Sequence, residues 1–434
     1  MRFFHELLEN IYIYCYNVNM LIQFTTKNFR SIKDELTLSL EAEGLKTGDV
    51  ATIKAGNNNL LPVAAIFGKN ASGKSNIFMA VDWMKWAIIN PNFLAQPITD
   101  HAMLQPFLLD RSTRKKPSFF QIVVWDRVNS AEYRYGFEVS KKEVVSEWLE
   151  VSSRVKTNFR KRMVFTRDFQ TFEFSSQEDK KQLKPLAGRV IPGALAINVF
   201  AQFNVTHAFR FVDIIAKELV TLDGTLDIAP HTLQRCENDP LYAKKILKFL
   251  QGADLTIGDI SIEHKLVEGK ELDALPPQFR LMGKPERVDV STRHRVYGSD
   301  DFEDFNLVLH ESLGTRRLFG FASVVIDVLE NGSTMLVDEF GSSLHPFMSM
   351  AIVRMFNSKR SNPKGAQLIV CSHETYLLTR KTGLRRDQIW FTDKNSREAT
   401  TLRSLAEYKT RNDYEIAKNY LEGRFGALPY LKFE

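Results

Sequence analysis

Residues 61–75 read LPVAAIFGKNASGKS, a short apolar run followed by a loop closed by Gly73, Lys74 and Ser75. The loop fits GxxxxGK[ST] with Gly68 in the first position. The chemistry of phosphate explains each residue type. Successive backbone N–H groups have to wrap phosphate oxygens, and any side chain larger than glycine at Gly68 or Gly73 would block that approach. Lys74 brings positive charge to the β- and γ-phosphates, and the Ser75 hydroxyl can ligate Mg²⁺. Asn70 in the loop and Asn76 just after it complete the set expected around a nucleoside triphosphate. The segment behind them, SNIFMAVDWMKWAII (75–89), has helical spacing, so a helix N-terminus is expected to face the same phosphates.

The second half supplies what a phosphate loop alone lacks. In TMLVDEFGSSLHP (334–346) a buried-strand run ends in Asp338 and Glu339. An aspartate at such a strand end can hold Mg²⁺, and an adjacent glutamate can orient or deprotonate an attacking water. Upstream, ESLGTRRLFGFASVVIDVLENG (311–332) places Ser312, Gly314 and Thr315 before a long amphipathic helix ending at Gly332. A small polar residue with glycine at a helix start suits a second phosphate clamp. Downstream, AQLIVCSHE (366–374) is another buried strand, with His373 at its tip, where an imidazole can hydrogen-bond a γ-phosphate.

Composition narrows the class. A chain of 434 residues, 44% hydrophobic and 25% charged, has the make-up of a folded protein of two lobes or domains. No apolar stretch is long enough to span a bilayer, so no membrane association is expected; residues 11–24 are short and broken by Asn17 and Asn19. Cys15, Cys236 and Cys371 lack metal spacing and suit a reducing cytoplasm, and no His pattern reads as a zinc site. The net charge of +6 permits contact with nucleic acid or acidic proteins. The densest basic stretches are Arg111–Lys116 and Arg154–Arg162, whose plainer reading is solvated loop ends and strand edges.

Along the chain, residues 1–19 read as an extension unlike the rest, and 20–154 as a first lobe with the phosphate loop and a β meander. Within it, strand alternation recurs at 119–126, 132–139 and 144–151 with short polar connections. Residues 155–285 read as a mixed β and helical insert. A polar stretch at 175–188 breaks the strand pattern, helices are expected near 207–221 and 240–252, and a strand near 257–264. Residues 286–434 read as a second lobe, with an acidic turn at 297–304 and then alternating helix and strand.

The order of phosphate loop, small-residue helix cap, strand with Asp-Glu and strand with His is that of a known class. The chain resembles the ABC-type ATPase heads shared by SMC proteins and ABC transporters. Within that class it looks like the stand-alone ATPases of bacterial anti-phage systems, the OLD-like and RloA/AbiL-like group. The resemblance rests on NFRSIKD (28–34), FGKNASGKSN (67–76), PFLLD (106–110), ESLGTRR (311–317), VDEFGSSLHP (337–346), CSHE (371–374) and YLEGRFGALPYL (420–431). It implies an α/β P-loop NTPase, an ABC head with an antiparallel β lobe and a helical insert. It also implies roles. Lys74 and Ser75 would bind phosphate and Mg²⁺, Asp338 would be the Walker B carboxylate, and Glu339 the catalytic base. Ser312 and Gly314 would form the signature, His373 would be the switch histidine, and Ser342 and Ser343 would lie in the D-loop. Gln105 is the Q-loop candidate, touching both nucleotide and metal. Two departures stand out: the signature reads SLGT rather than LSGGQ, and Ala71 stands where many such heads have glycine.

The resemblance further implies ATP and Mg²⁺ as cofactors, and a homodimer or higher homo-oligomer formed by an ATP sandwich. OLD-type members carry a fused nuclease, but only 61 residues follow His373 (434 − 373), which reads as too few for one. A separate effector is therefore expected, for example a TOPRIM-type nuclease, with DNA or a phage protein as trigger. The competing reading is an SMC-like DNA-repair or DNA-maintenance ATPase, against which the insert is too short for a long coiled coil. A transporter subunit is disfavoured by the altered signature, and a GTPase by the lack of an NKxD motif.

Overall fold

The computed structural model describes residues 19–44, 52–90, 97–155, 158–224, 230–253, 256–267, 286–342, 344–408 and 415–425. Residues 1–18 of the expected N-terminal extension (1–19) and the end of the YLEGRFGALPYL motif (426–431) lie outside them. The chain divides into two compact units. One falls within Tyr14–Gly224, Val328–Ser342 and Ser349–Glu434, the other within Thr225–Asp327 and Ser343–Met348.

The first unit holds two large sheets. Its antiparallel sheet has the strand order Thr171–Phe174, Asn158–Asp168, Val144–Val155, Ala131–Val139, Ser118–Asp126, Met20–Lys27, Leu36–Ser39. Period-two alternation builds it. In Ala131–Val139 the buried residues include Ala131, Tyr133, Tyr135, Phe137 and Val139, with Glu132, Arg134 and Glu138 on the outer face. The meander expected from 119–151 is present, paired from Ser118 through Ser153 with one register shift between Glu138 and Val139.

The second sheet is parallel over five strands: Leu219–Asp223, Thr334–Asp338, Gln367–Ser372, Val63–Phe67 and Ile389–Lys394, with Thr400–Ser404 antiparallel at the edge. Every residue of VAAIF, TMLVD and QLIVCS is buried, as strands covered on both faces require. Helix Lys74–Ile89 turns Ile77, Ala80, Val81, Trp83, Met84, Ala87 and Ile88 inward. One core joins Phe24 and Phe120 of the antiparallel sheet to Ala64, Ile66, Leu336 and Ile369 of the parallel one. Trp83 sits between them, its ring 4.6 Å from Phe120. Gln367 pins the same junction. It accepts from Leu21 N–H (2.7 Å) and Thr334 Oγ1 (2.9 Å) and donates to the Leu21 carbonyl (2.9 Å). This is an α/β P-loop fold: a mainly parallel sheet carrying the phosphate loop, packed on an antiparallel lobe.

The second unit contains helices Pro230–Asn238 and Pro240–Gln251 and a three-stranded antiparallel sheet, Asp259–Leu266, Glu286–Arg295 and Phe302–Asn306. It also holds the start of helix Leu313–Asn331.

The polar run 175–188, which interrupts the strand pattern, is helix Gln177–Ala187, capped by Ser176 Oγ accepting from Asp179 N–H (3.0 Å). One expectation is corrected. The helix expected near 207–221 is Thr206–Glu218, and Leu219–Asp223 is an edge strand of the parallel sheet. No glycine or proline separates the two, so apolar spacing alone could not mark the boundary.

Candidate functional site

The site lies at the carboxyl ends of the parallel strands of the first unit. After Phe67 the chain enters the loop Gly68–Gly73, and helix Lys74–Ile89 begins at once. Gly73 sits at φ +110, a backbone region closed to ordinary side chains. A Cβ on Gly73 would run into the Thr400 side chain, and one on Gly68 into Thr392 Oγ1. The glycines are therefore demanded by the loop's own packing as well as by phosphate. Asn70 is exposed at the loop tip. Ala71 has φ +62, so the residue standing in place of the usual glycine adopts a glycine conformation.

Lys74 is buried, and its ammonium donates to the carbonyls of Gly68 (2.7 Å) and Lys69 (3.2 Å). Burial holds its pKa below the ordinary lysine value, against the opposing pull of Cys371, Glu339 and Asp338. The lysine is thus poised inside the loop it must serve. Asp338 ends strand Thr334–Asp338, one strand removed from Val63–Phe67, with 8% exposure, and its Oδ1 has no hydrogen-bond partner. Burial raises its pKa, the Ser75 hydroxyl and the Glu339 N–H counter this, and the charges of Glu339 and Asp223 add to it.

An orphaned buried carboxylate oxygen opposite a serine hydroxyl is a poor piece of protein interior. It is a good pair of hard oxygen donors for a divalent cation. Ser75 and Asp338 therefore fit Mg²⁺.

Glu339 is next, at φ +50, a strained conformation for a glutamate. Its carboxylate meets His373 Nδ1 at 3.2 Å, and His373 Nε2 lies 3.5 Å from Glu374 Oε1. The two tips are tied through their backbones: Phe340 N–H donates to the Cys371 carbonyl (2.9 Å) and Ser372 Oγ to the Phe340 carbonyl (2.7 Å). The structure thus brings Lys74, Ser75, Asp338, Glu339 and His373 together at the carboxyl ends of the parallel strands.

Residues 63–379 match the family described as "AAA domain, putative AbiEii toxin, Type IV TA system". That span is well over half of the chain. The chain belongs to this AAA-domain family. No curated protein sequence matches it. Among solved structures it is similar to the SMC head domain from Thermotoga maritima, at 14% identity and TM-score 0.40, covering 88% of this chain and 98% of that one. It is also similar to the recombination mediator RecF bound to ATP, at 12% identity and TM-score 0.36, covering 91% and 100%. These are distant likenesses, and the fold is read from the topology itself.

The other residues expected at the site of this ATP-binding AAA-domain protein have local partners of their own. Asn76 is turned sideways, accepting from Arg30 Nε (2.9 Å) and donating to Ser31 Oγ (2.5 Å). Gln105 is exposed, and its amide donates to the Ala102 carbonyl (3.3 Å). Its backbone carbonyl accepts from Arg30 N–H (2.7 Å), and Arg30 Nε in turn bonds Asn76 on the phosphate-loop helix. Ser312 and Gly314 lie in the second unit at the start of helix Leu313–Asn331, where Ser312 Oγ accepts from Thr315 N–H (3.1 Å). Glu311 just before them accepts from Thr292 Oγ1 (2.6 Å) and meets His294 Nε2 at 2.7 Å. Ser342 is described but Ser343 is not.

Sequence reading missed the polar brace behind the loop. Thr392 Oγ1 bonds Ser72 Oγ (2.7 Å), Thr400 Oγ1 donates to the Ser72 carbonyl (2.9 Å), and Ser31 Oγ bonds Thr400 Oγ1 (2.7 Å). Lys69 Nζ pairs with Asp393 at 3.1 Å. These residues come from three distant segments, and no local pattern announces them.

Proposed function

We propose that the chain hydrolyses ATP, with its turnover completed by a second copy, and that it uses this cycle to control a separate effector. The observation carrying the proposal is Glu339 itself. It is a strained glutamate directly after the buried Asp338, half-exposed where a water could stand, and bonded to His373. In this reading Lys74 moves from its own loop carbonyls to the β- and γ-phosphates, while the loop N–H groups hold the remaining oxygens. Ser75 and Asp338 would hold Mg²⁺, which would supply positive charge against the triphosphate. His373 exchanges Glu339 for the γ-phosphate, leaving Glu339 free to orient the attacking water.

Ser312 and Gly314 then serve as the signature clamp on a neighbouring copy's nucleotide, in an ATP-sandwich dimer or larger homo-oligomer. An exposed Ser312 at the start of a long helix suits an anion brought by a partner. A clamp of this kind is typically worth about 3–4 kcal/mol, roughly a hundredfold or more in rate. Ser312→Arg is expected to leave ATP binding intact and suppress turnover; unchanged turnover would reject the clamp.

The biological setting is suggested by the family description, which names a toxin and a toxin–antitoxin system. We read the chain as a sensor and scaffold in anti-phage defence, acting on a separately encoded effector such as a TOPRIM-type nuclease, with DNA or a phage protein as trigger. Phage challenge of cells carrying wild-type or Glu339→Gln protein, with and without the product of the neighbouring reading frame, tests it. Equal phage yield in all four would reject it. A second reading, SMC-like DNA maintenance, is favoured by the exposed Lys180, Lys181 and Lys184 on one helix. ATP turnover stimulated by DNA, and lost steeply with salt, would select it.

A further inference from the structure

Strand Leu219–Asp223 has no mark in the sequence pattern, and its last residue stands beside the cation site. It pairs in parallel with the Asp338 strand, with Asp223 in register with Asp338 itself. In-register residues of adjacent parallel strands have side chains on the same face, with the backbones about 4.8 Å apart. The placement is tightly held. Gly224 N–H donates to the Asp338 carbonyl at 2.9 Å, and a Cβ on Gly224 would lie 2.5 Å from that oxygen and 3.0 Å from the Glu339 carbonyl. Only glycine permits so close an approach. Two residues before Asp223, Thr221 Oγ1 donates to Asp82 Oδ1 (2.6 Å) on the phosphate-loop helix.

Asp223 is exposed, so core packing does not demand a carboxylate there. Two adjacent carboxylates repel unless a cation sits between or before them. Asp338 Oδ1 is the unpartnered oxygen, in a side chain more than nine-tenths buried. Among the described residues no three His, Cys, Asp or Glu side chains converge into a metal cage, so Asp223 is not a direct ligand in such a cage.

We propose that Asp223 is an outer carboxylate of the divalent-cation site, which raises the site's affinity for Mg²⁺ through space or through a water held on the ion. This rests on the reading that Ser75 and Asp338 hold that ion. Mg²⁺ keeps several of its waters when protein-bound, so a carboxylate one shell out has something to bind. Through-space attraction over such a distance, in a half-wet site, is worth roughly a threefold to tenfold change in affinity.

The test is equilibrium binding of the non-hydrolysable analogue AMPPNP to the full chain across a Mg²⁺ titration, reading the free Mg²⁺ that gives half-maximal binding. Asp223→Asn is expected to raise that concentration roughly threefold to tenfold, and Asp223→Glu to restore it. The gap between wild type and Asp223→Asn should narrow as salt rises, which a packing role would not produce. Asp338→Asn should abolish the Mg²⁺ dependence. If Asp338→Asn does so while Asp223→Asn titrates like wild type, Asp223 has no such role and the cation site stands. If Asp338→Asn leaves the titration unchanged, the cation site itself is misread and this proposal falls with it. Should Asp223→Asn fail to fold, as judged by its thermal midpoint, the pair Asp223→Ser and Asp223→Glu carries the same comparison.

Discussion

Two buried carboxylates in the same unit have opposite fates. Glu147, in the antiparallel sheet, is fully buried against Arg167 (3.2 Å), which is also fully buried. It further accepts from Tyr135 Oη (2.9 Å) and from the N–H groups of Ala196 (2.7 Å) and Ile197 (2.9 Å). It is saturated, and it caps helix Ala196–Gln202 from a distance. Asp338, in the parallel sheet, is nearly as buried and keeps an oxygen with no partner. One carboxylate is saturated by the fold; the other keeps an acceptor oxygen that the fold does not use.

The largest effect should come from the saturated carboxylate. Glu147→Ala strands Arg167 and two helix N–H groups, and is expected to cost about 3–5 kcal/mol of stability in urea unfolding. A loss under 1 kcal/mol would erase the distinction drawn between the two sites. Next is Glu339→Gln, expected to lower ATP turnover by roughly a hundredfold to a thousandfold with nucleotide binding retained. Turnover within tenfold of wild type would move the base elsewhere.

Asp338→Asn should behave opposite to Glu147→Ala. Because burial raises the folded-state pKa of Asp338 above its ordinary value of 3.8, its ionised form weakens the nucleotide-free fold. That penalty is absent below about pH 4 and grows as pH rises through the raised folded value. The variant should therefore unfold later than wild type at pH 7, by about 0.5–2 kcal/mol, with the advantage vanishing in acid. A variant less stable at pH 7 would show the carboxylate to be structural. The smallest effect is Ala71→Gly, which removes a left-handed alanine and should stabilise by about 0.5–1 kcal/mol in thermal unfolding. A loss of stability would mean the loop tolerates φ +62 without strain.

The same division separates the legible from the hidden. Local signals suffice where function constrains a short segment: the Gly68–Ser75 loop, the buried strand ending in Asp338 and Glu339, and the strand ending in His373. The meander is equally legible, because alternation such as that of Ala131–Val139 is local. Glu147 and Arg167 are not, since charged residues in alternating strands look like a solvent face until the helix that buries them is known. The Ser31, Ser72, Thr392 and Thr400 brace and the pairing of Asp223 with Asp338 join segments more than 100 residues apart, with no motif to mark them. Asp223 is further hidden by a helix that runs into its strand without a breaker.

The central claim is that ATP bound at the parallel-strand tips draws two copies together through Ser312 and Gly314. Sedimentation velocity on Glu339→Gln protein, with and without ATP and Mg²⁺, tests it most directly. The account predicts that nucleotide roughly doubles the sedimenting mass, or drives a larger step, and that adding Ser312→Arg blocks the shift while ATP still binds. A mass unmoved by nucleotide, or a shift indifferent to Ser312→Arg, would contradict it.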